Sequence, residues 1–202
     1  MIAMSRRLIL SVLAVLMLSA CAVREQRPEG AWLEERESWF ALYSAWEVSG
    51  RLSLSDGERG GQMGFDWRAQ GEQHDVRLRT VASGKQWRLL FNEYGALLEG
   101  SDIGLLRGPD PDVLIAEVVG WPIPVTRLAY WLRGLTSPEG DRVSYAPDGT
   151  MAGIIDPPWV LEYQRFMQPP QGPLMPLRIQ ADSPPHQVRV VMRNWRWSDP
   201  GG

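Results

Sequence analysis

The chain has 202 residues, about the length of a single domain plus a leader. Apolar residues make up 44% of it and ten tryptophans are among them, so the material for a sizeable core is present. The formal charge of −3 argues against a nucleic-acid partner, and no stretch is long enough for a permanent transmembrane helix.

In chain order, Arg6 and Arg7 precede an apolar run from Leu8 to Leu18, followed by the small residues Ser19 and Ala20. This pattern is a secretory signal over residues 1–20. Cys21 is the sole cysteine, and an unpaired cysteine in an exported chain calls for a modification. The sequence Leu18-Ser19-Ala20-Cys21 resembles the bacterial lipobox, which implies a lipid-modified Cys21 as the mature N-terminus, and Ala22 after it favours the outer membrane. Loss of the two leader arginines takes the formal charge to −5. Residues 21–30 are polar, include Pro28 and read as a tether, with one domain over 31–197 and a short tail over 198–202.

From Ala31 to Trp46, Trp32, Leu33, Trp39, Phe40, Tyr43 and Trp46 recur at helical spacing, with Glu34, Glu35, Arg36 and Glu37 between them. The period then changes to two. Val48, Leu52 and Leu54 alternate with polar residues, as do Met63, Phe65 and Trp67, and then Val76 and Leu78. Eight further strands are expected over 86–91, 96–100, 103–106, 143–146, 151–155, 159–164, 174–181 and 187–195. About eleven antiparallel strands in one meander must curl to hide their apolar face, which gives a barrel or a strongly curved open sheet.

Residues 110–135 interrupt the strands with two short helices. Asp110 caps the first, Pro111 opens it and Leu114 lies on its apolar side, while Trp121-Pro122-Ile123-Pro124 stops it. The second carries Leu128, Trp131 and Leu132 and ends at Gly134. The pair forms either a lid over the sheet or a plug in an ordinary core.

These residues resemble the LolB family of outer-membrane lipoprotein receptors. Gly120-Trp121-Pro122-Ile123-Pro124 with Leu128 and Trp131-Leu132-Arg133-Gly134 carries the likeness, supported by Gly50-Arg51-Leu52, Phe65-Asp66-Trp67, Trp159-Val160-Leu161-Glu162-Tyr163, Pro176 and Asn194-Trp195. The resemblance implies a mainly β, open antiparallel half-barrel with a helical lid. It also implies a monomer that takes triacylated lipoproteins from the periplasmic carrier LolA into an apolar cavity and inserts them into the outer membrane, with no cofactor or metal. On that account Val48, Leu52, Leu54, Met63, Phe65, Trp67, Val76 and Leu78 line the concave face, and Leu114, Leu128, Trp131 and Leu132 oppose them. Where the family has a Pro-Leu-Gly loop with an outward leucine between the third and fourth strands, this chain has Val81, Ala82, Ser83 and Gly84, with a serine in the leucine's place; either Val81 substitutes as the apolar tip, or the chain inserts lipoproteins in another way, or the loop is an ordinary hairpin.

The main alternative is a lipid-anchored envelope scaffold that binds a protein partner and has a filled interior. An envelope hydrolase is the third possibility. The sequence has neither a Gly-x-Ser-x-Gly elbow nor a Ser-x-x-Lys motif, and His74 and His186 are expected in solvated loops. A carboxylate pair such as Asp66 and Glu162 stays open at this point.

Overall fold

The computed structural model describes residues 27–28, 30–138, 140 and 142–198. The signal segment, Cys21, most of the tether and the tail beyond Ser198 lie outside the described residues.

Helix α1 (Ala31–Leu42) leads into β1 (Ala45–Ser55), β2 (Gly60–Gln70), β3 (Gln73–Thr80), β4 (Gln86–Asn92), β5 (Gly95–Gly100) and β6 (Gly104–Gly108). Helices α2 (Pro111–Val119) and α3 (Val125–Arg133) follow, and then β7 (Arg142–Tyr145), β8 (Met151–Asp156), β9 (Trp159–Met167), β10 (Met175–Ser183) and β11 (His186–Trp197). All eleven strands form one antiparallel sheet in the order β6-β5-β4-β3-β2-β1-β11-β10-β9-β8-β7. Because β1 pairs with β11 in the middle, the two free edges are β6 and β7, which are consecutive in the chain. The connection between them is the helical segment.

That topology places the helices across one face of the sheet. Helix α2 packs on β4, β5 and β6, while α3 touches both α2 and β10. In a flat sheet β5 and β10, six strand spacings apart, would be about 29 Å from each other. Helix α3 alone, about 14 Å long, reaches from β10 to Leu89 of β4, five strand spacings away, which requires the sheet to curl around it.

Local sequence accounts for the helix ends. The Asp110 carboxylate accepts from the N–H groups of Asp112 and Val113 at 2.8 and 3.4 Å, and Pro111 supplies the first helical residue. Gly134 ends α3 at φ 72°, where a Cβ would stand 2.8 Å from Arg36 Nε, so only glycine lets α1 approach this closely. The Trp32 indole N–H donates to the Gly134 carbonyl at 3.0 Å across that contact.

The structure corrects three expectations. Helix α1 stops at Leu42 and Trp46 belongs to β1, opposite Ala69 of β2 and Trp197 of β11, because strand pairing overrides the helical spacing of the aromatics. Arg36 lies on the buried side of α1 with Trp32 and Phe40. Its guanidinium stacks 3.0 Å from the Trp32 ring centroid and donates to the carbonyls of Trp32 and Leu174, while burial lowers its pKa to about 9. His74 sits within β3, half-buried, and His186 opens β11; neither is a loop residue.

Candidate functional site

The alternating strands place Val48, Leu52, Leu54, Met63, Phe65, Trp67, Val76 and Leu78 on the helix-covered face, all buried. Five of them, Leu52, Phe65, Trp67, Val76 and Leu78, meet Leu128 and Leu132 of α3 around a void of about 20 Å³ with no polar lining. Leu89, Val190, Ile123 and Val125 complete the wall. Their signal was in the sequence: Leu89 alternates with Trp87 and Phe91, Val190 with Val188 and Met192, and Ile123 stands inside the Pro-Ile-Pro run. Val48, Leu54 and Met63 belong to the same core away from the void. Leu114 covers β6 instead, with its Cδ2 3.2 Å from where a Gly108 Cβ would be.

Trp131 does not face the void. Its indole N–H donates to Asp156 Oδ2 at 2.8 Å, and the Ser137 hydroxyl donates to the same oxygen at 2.6 Å. Asp156 is wholly buried at the end of β8. The Arg127 guanidinium lies 3.1 Å from Asp156 Oδ1 as an ion pair, while its N–H groups are aimed at the Asp156 and Pro157 carbonyls. The Tyr163 hydroxyl donates to the Trp131 carbonyl at 2.9 Å, and burial pushes that phenol's pKa up, so it stays a donor. These groups pin α3 to the β8–β9 hairpin. A second clamp joins the helices to each other: Asp112 accepts from the Thr126 N–H at 3.0 Å and its hydroxyl at 2.8 Å. The two helices therefore form one piece, tied by polar groups to the β8–β9 side and, through the Trp32–Gly134 bond, to α1.

His74 is stacked on Phe91 at 4.5 Å, and its Nδ1 accepts from the Trp67 indole at 3.0 Å. Burial, reinforced by the Arg133 charge, lowers its pKa to about 4, so it is neutral at pH 7. Asp66 and Glu162 lie on β2 and β9, four strand spacings or about 19 Å apart along the sheet, and do not form a pair. In the β3–β4 loop the Thr80 and Ser83 hydroxyls bond each other at 2.6 Å, and Val81 projects with 70% of its surface exposed.

The fold and its interior define a class: a lidded, open antiparallel half-barrel whose enclosed space is apolar throughout. Among solved structures the chain resembles a LolA-superfamily protein from Nitrosomonas europaea, with a TM-score of 0.54 at 10% identity over 84% of this chain and 93% of that one. A lipoprotein-sorting protein domain from Vibrio parahaemolyticus gives a TM-score of 0.50 at 8% identity over 82% and 92%. The family model described as "Outer membrane lipoprotein LolB" matches residues 44–195, and the chain belongs to that family. The outer-membrane lipoprotein LolB of Alkalilimnicola ehrlichii is 34% identical, covering 94% of this chain and 96% of its own length. That of Marinobacter nauticus is 30% identical over 86% and 85%.

Proposed function

We propose that the space between sheet and lid shelters the acyl chains of lipoproteins received from the carrier LolA, and that the protein, anchored through Cys21, delivers them into the outer membrane. The observation that carries this is the entirely apolar contact between sheet residues Leu52, Phe65, Trp67, Val76 and Leu78 and lid residues Leu128 and Leu132.

A void of 20 Å³ has room for about one water and for no acyl chain, so cargo enters only as the lid separates from the sheet. Exposing the eleven lining side chains costs roughly 16–33 kcal/mol at ~1.5–3 each. The lining residues keep their contacts within sheet or lid as the two part, so only a fraction of this is lost, but about 4 kcal/mol already holds the open form to roughly one molecule in a thousand and an empty molecule stays shut. A triacyl group of ~45 CH2 left in water would cost roughly 36 kcal/mol at ~0.8 per CH2, so it passes from one apolar shelter directly to the next, and the apolar faces parted by opening are covered again by the chains that enter. Opening is thus coupled to loading, and transfer runs without nucleotide wherever the next acceptor holds the chains more favourably.

The closed interior also suits a scaffold that carries no lipid, and one experiment separates the two. The mature chain with Cys21→Ala is mixed with LolA loaded with labelled lipoprotein, without membranes or nucleotide. The label is expected to move to the receptor; retention on the carrier, with both proteins folded, would overturn the proposal in favour of the scaffold.

A further inference from the structure

The face of the sheet turned away from the lid carries an open groove of about 1170 Å³ across β1–β5 and β11. Arg51, Arg77, Arg79, Arg88 and Arg193 border it, against two carboxylates, Asp66 and Glu99. Strand register sets the spacing of the charges. Arg51 is opposite Gly64, and Gly64 is opposite Arg79, so two exposed guanidinium side chains flank about 10 Å of backbone that carries no side chain between them. Arg88 and Arg77 are engaged by Asp75 at 2.8 and 3.6 Å. Arg51, Arg79 and Arg193 have no ion pair among the described residues. Such a concentration of unpaired positive charge stands out in a chain of net charge −3. Exposed Val81 stands at the rim of the same groove.

We propose that this arginine groove binds the phosphate headgroups of an anionic lipid bilayer and so presents the Val81 loop to the membrane. Guanidinium groups are suited to phosphate by their forked, permanently charged donors. Gly64 leaves the floor open for a headgroup to reach both Arg51 and Arg79. An apolar tip beside a basic patch also matches the layering of a bilayer surface, where hydrocarbon lies just beneath charged phosphates. An acidic protein would satisfy the arginines alone and would leave Val81 without an apolar surface to meet. The inference deepens the membrane-delivery function, but its test needs no cargo.

The test is flotation of the mature Cys21→Ala chain with vesicles of phosphatidylcholine alone or mixed with phosphatidylglycerol. Binding is expected only to the mixed vesicles, weakening as salt is raised. Each arginine near an anionic surface accounts for about fivefold in affinity, so Arg51→Gln with Arg79→Gln should weaken binding roughly twenty-five-fold. Arg165→Gln, on the outer side of β9 and away from the groove, should change nothing, and circular dichroism checks that each variant is folded. Equal binding to both vesicle types, or undiminished binding of the double variant, would overturn the proposal. So would a folded protein that ignores vesicles yet binds an acidic protein through Arg51 and Arg79. Failure of cargo transfer in membrane-free solution would instead count against the proposed function and leave the groove's test standing.

Discussion

Asp156 is where the lid is held, and removing it should be expensive. In Asp156→Ala the Trp131 indole N–H and the Ser137 hydroxyl, which donate to Oδ2 at 2.8 and 2.6 Å, lose their acceptor, and Arg127 loses its ion pair at 3.1 Å. Two stranded buried donors cost about 1–3 kcal/mol each, and breaking one side of a buried ion pair costs about 3–5. The donors share one carboxylate with the pair, so these costs overlap and a total of about 4 kcal/mol is expected. For a domain of this size that lowers Tm by roughly 8–16 °C. Trp131→Phe removes one donor and costs about 1–2 kcal/mol; combined with Asp156→Ala it adds less than that, because the bond is already gone. Urea denaturation of the single and double variants gives these values, with exposed Glu162→Ala as a control within about 0.5 kcal/mol. Amide exchange should quicken in α3 before it does in β1, β2 and β11. A loss below about 1 kcal/mol for Asp156→Ala, or full additivity with Trp131→Phe, would refute the pinning role.

Three further outcomes are expected. His74 has a folded pKa of about 4 against an ordinary 6.5, so the unfolded chain binds a proton that the native one does not as pH falls through this range. Stability is therefore complete above pH 6.5 and declines toward pH 4 by up to about 3 kcal/mol, a slope that His74→Phe should remove in urea melts at pH 7 and 4.5. Gly50→Ala would place a Cβ 2.2 Å from the Val191 carbonyl oxygen and 2.7 Å from the Phe65 ring, at a strand centre that cannot move aside, and should cost about 2–3 kcal/mol by thermal melting. Leu132→Ala should cost about 2–5 kcal/mol and enlarge the apolar void enough for benzene to raise Tm, while the parent chain shows no such response.

Much of the fold was legible because it rests on short-range patterns. Period-two alternation marks each long strand, and the Asp110-Pro111 start and Gly134 stop bound the helical segment. What alternation could not supply was pairing. Nothing in Ala45–Ser55 says that it lies against His186–Trp197, and it is this contact that leaves β6 and β7 as free edges and obliges their helical link to cross the sheet.

Buried polar groups were the other thing hidden from pattern. Arg36, His74 and Asp156 belong by residue type to surfaces and loops, and they are interior because tertiary neighbours satisfy them: the Trp32 ring with two carbonyls, the Trp67 indole, and the Trp131–Ser137 pair. Trp131 shows the same limit from the apolar side, since helical spacing gave it the inward face but only the position of Asp156 turned its indole from the void to the end of β8. The sequence by itself determined the strand segments, the two helices that cross the sheet and the apolar residues of the inner face, because each depends on neighbours a few positions away. The tertiary structure alone decided which of those residues meet across the void, where the lid is tied and which arginines gather on the outer face, because each depends on strands brought together from distant parts of the chain.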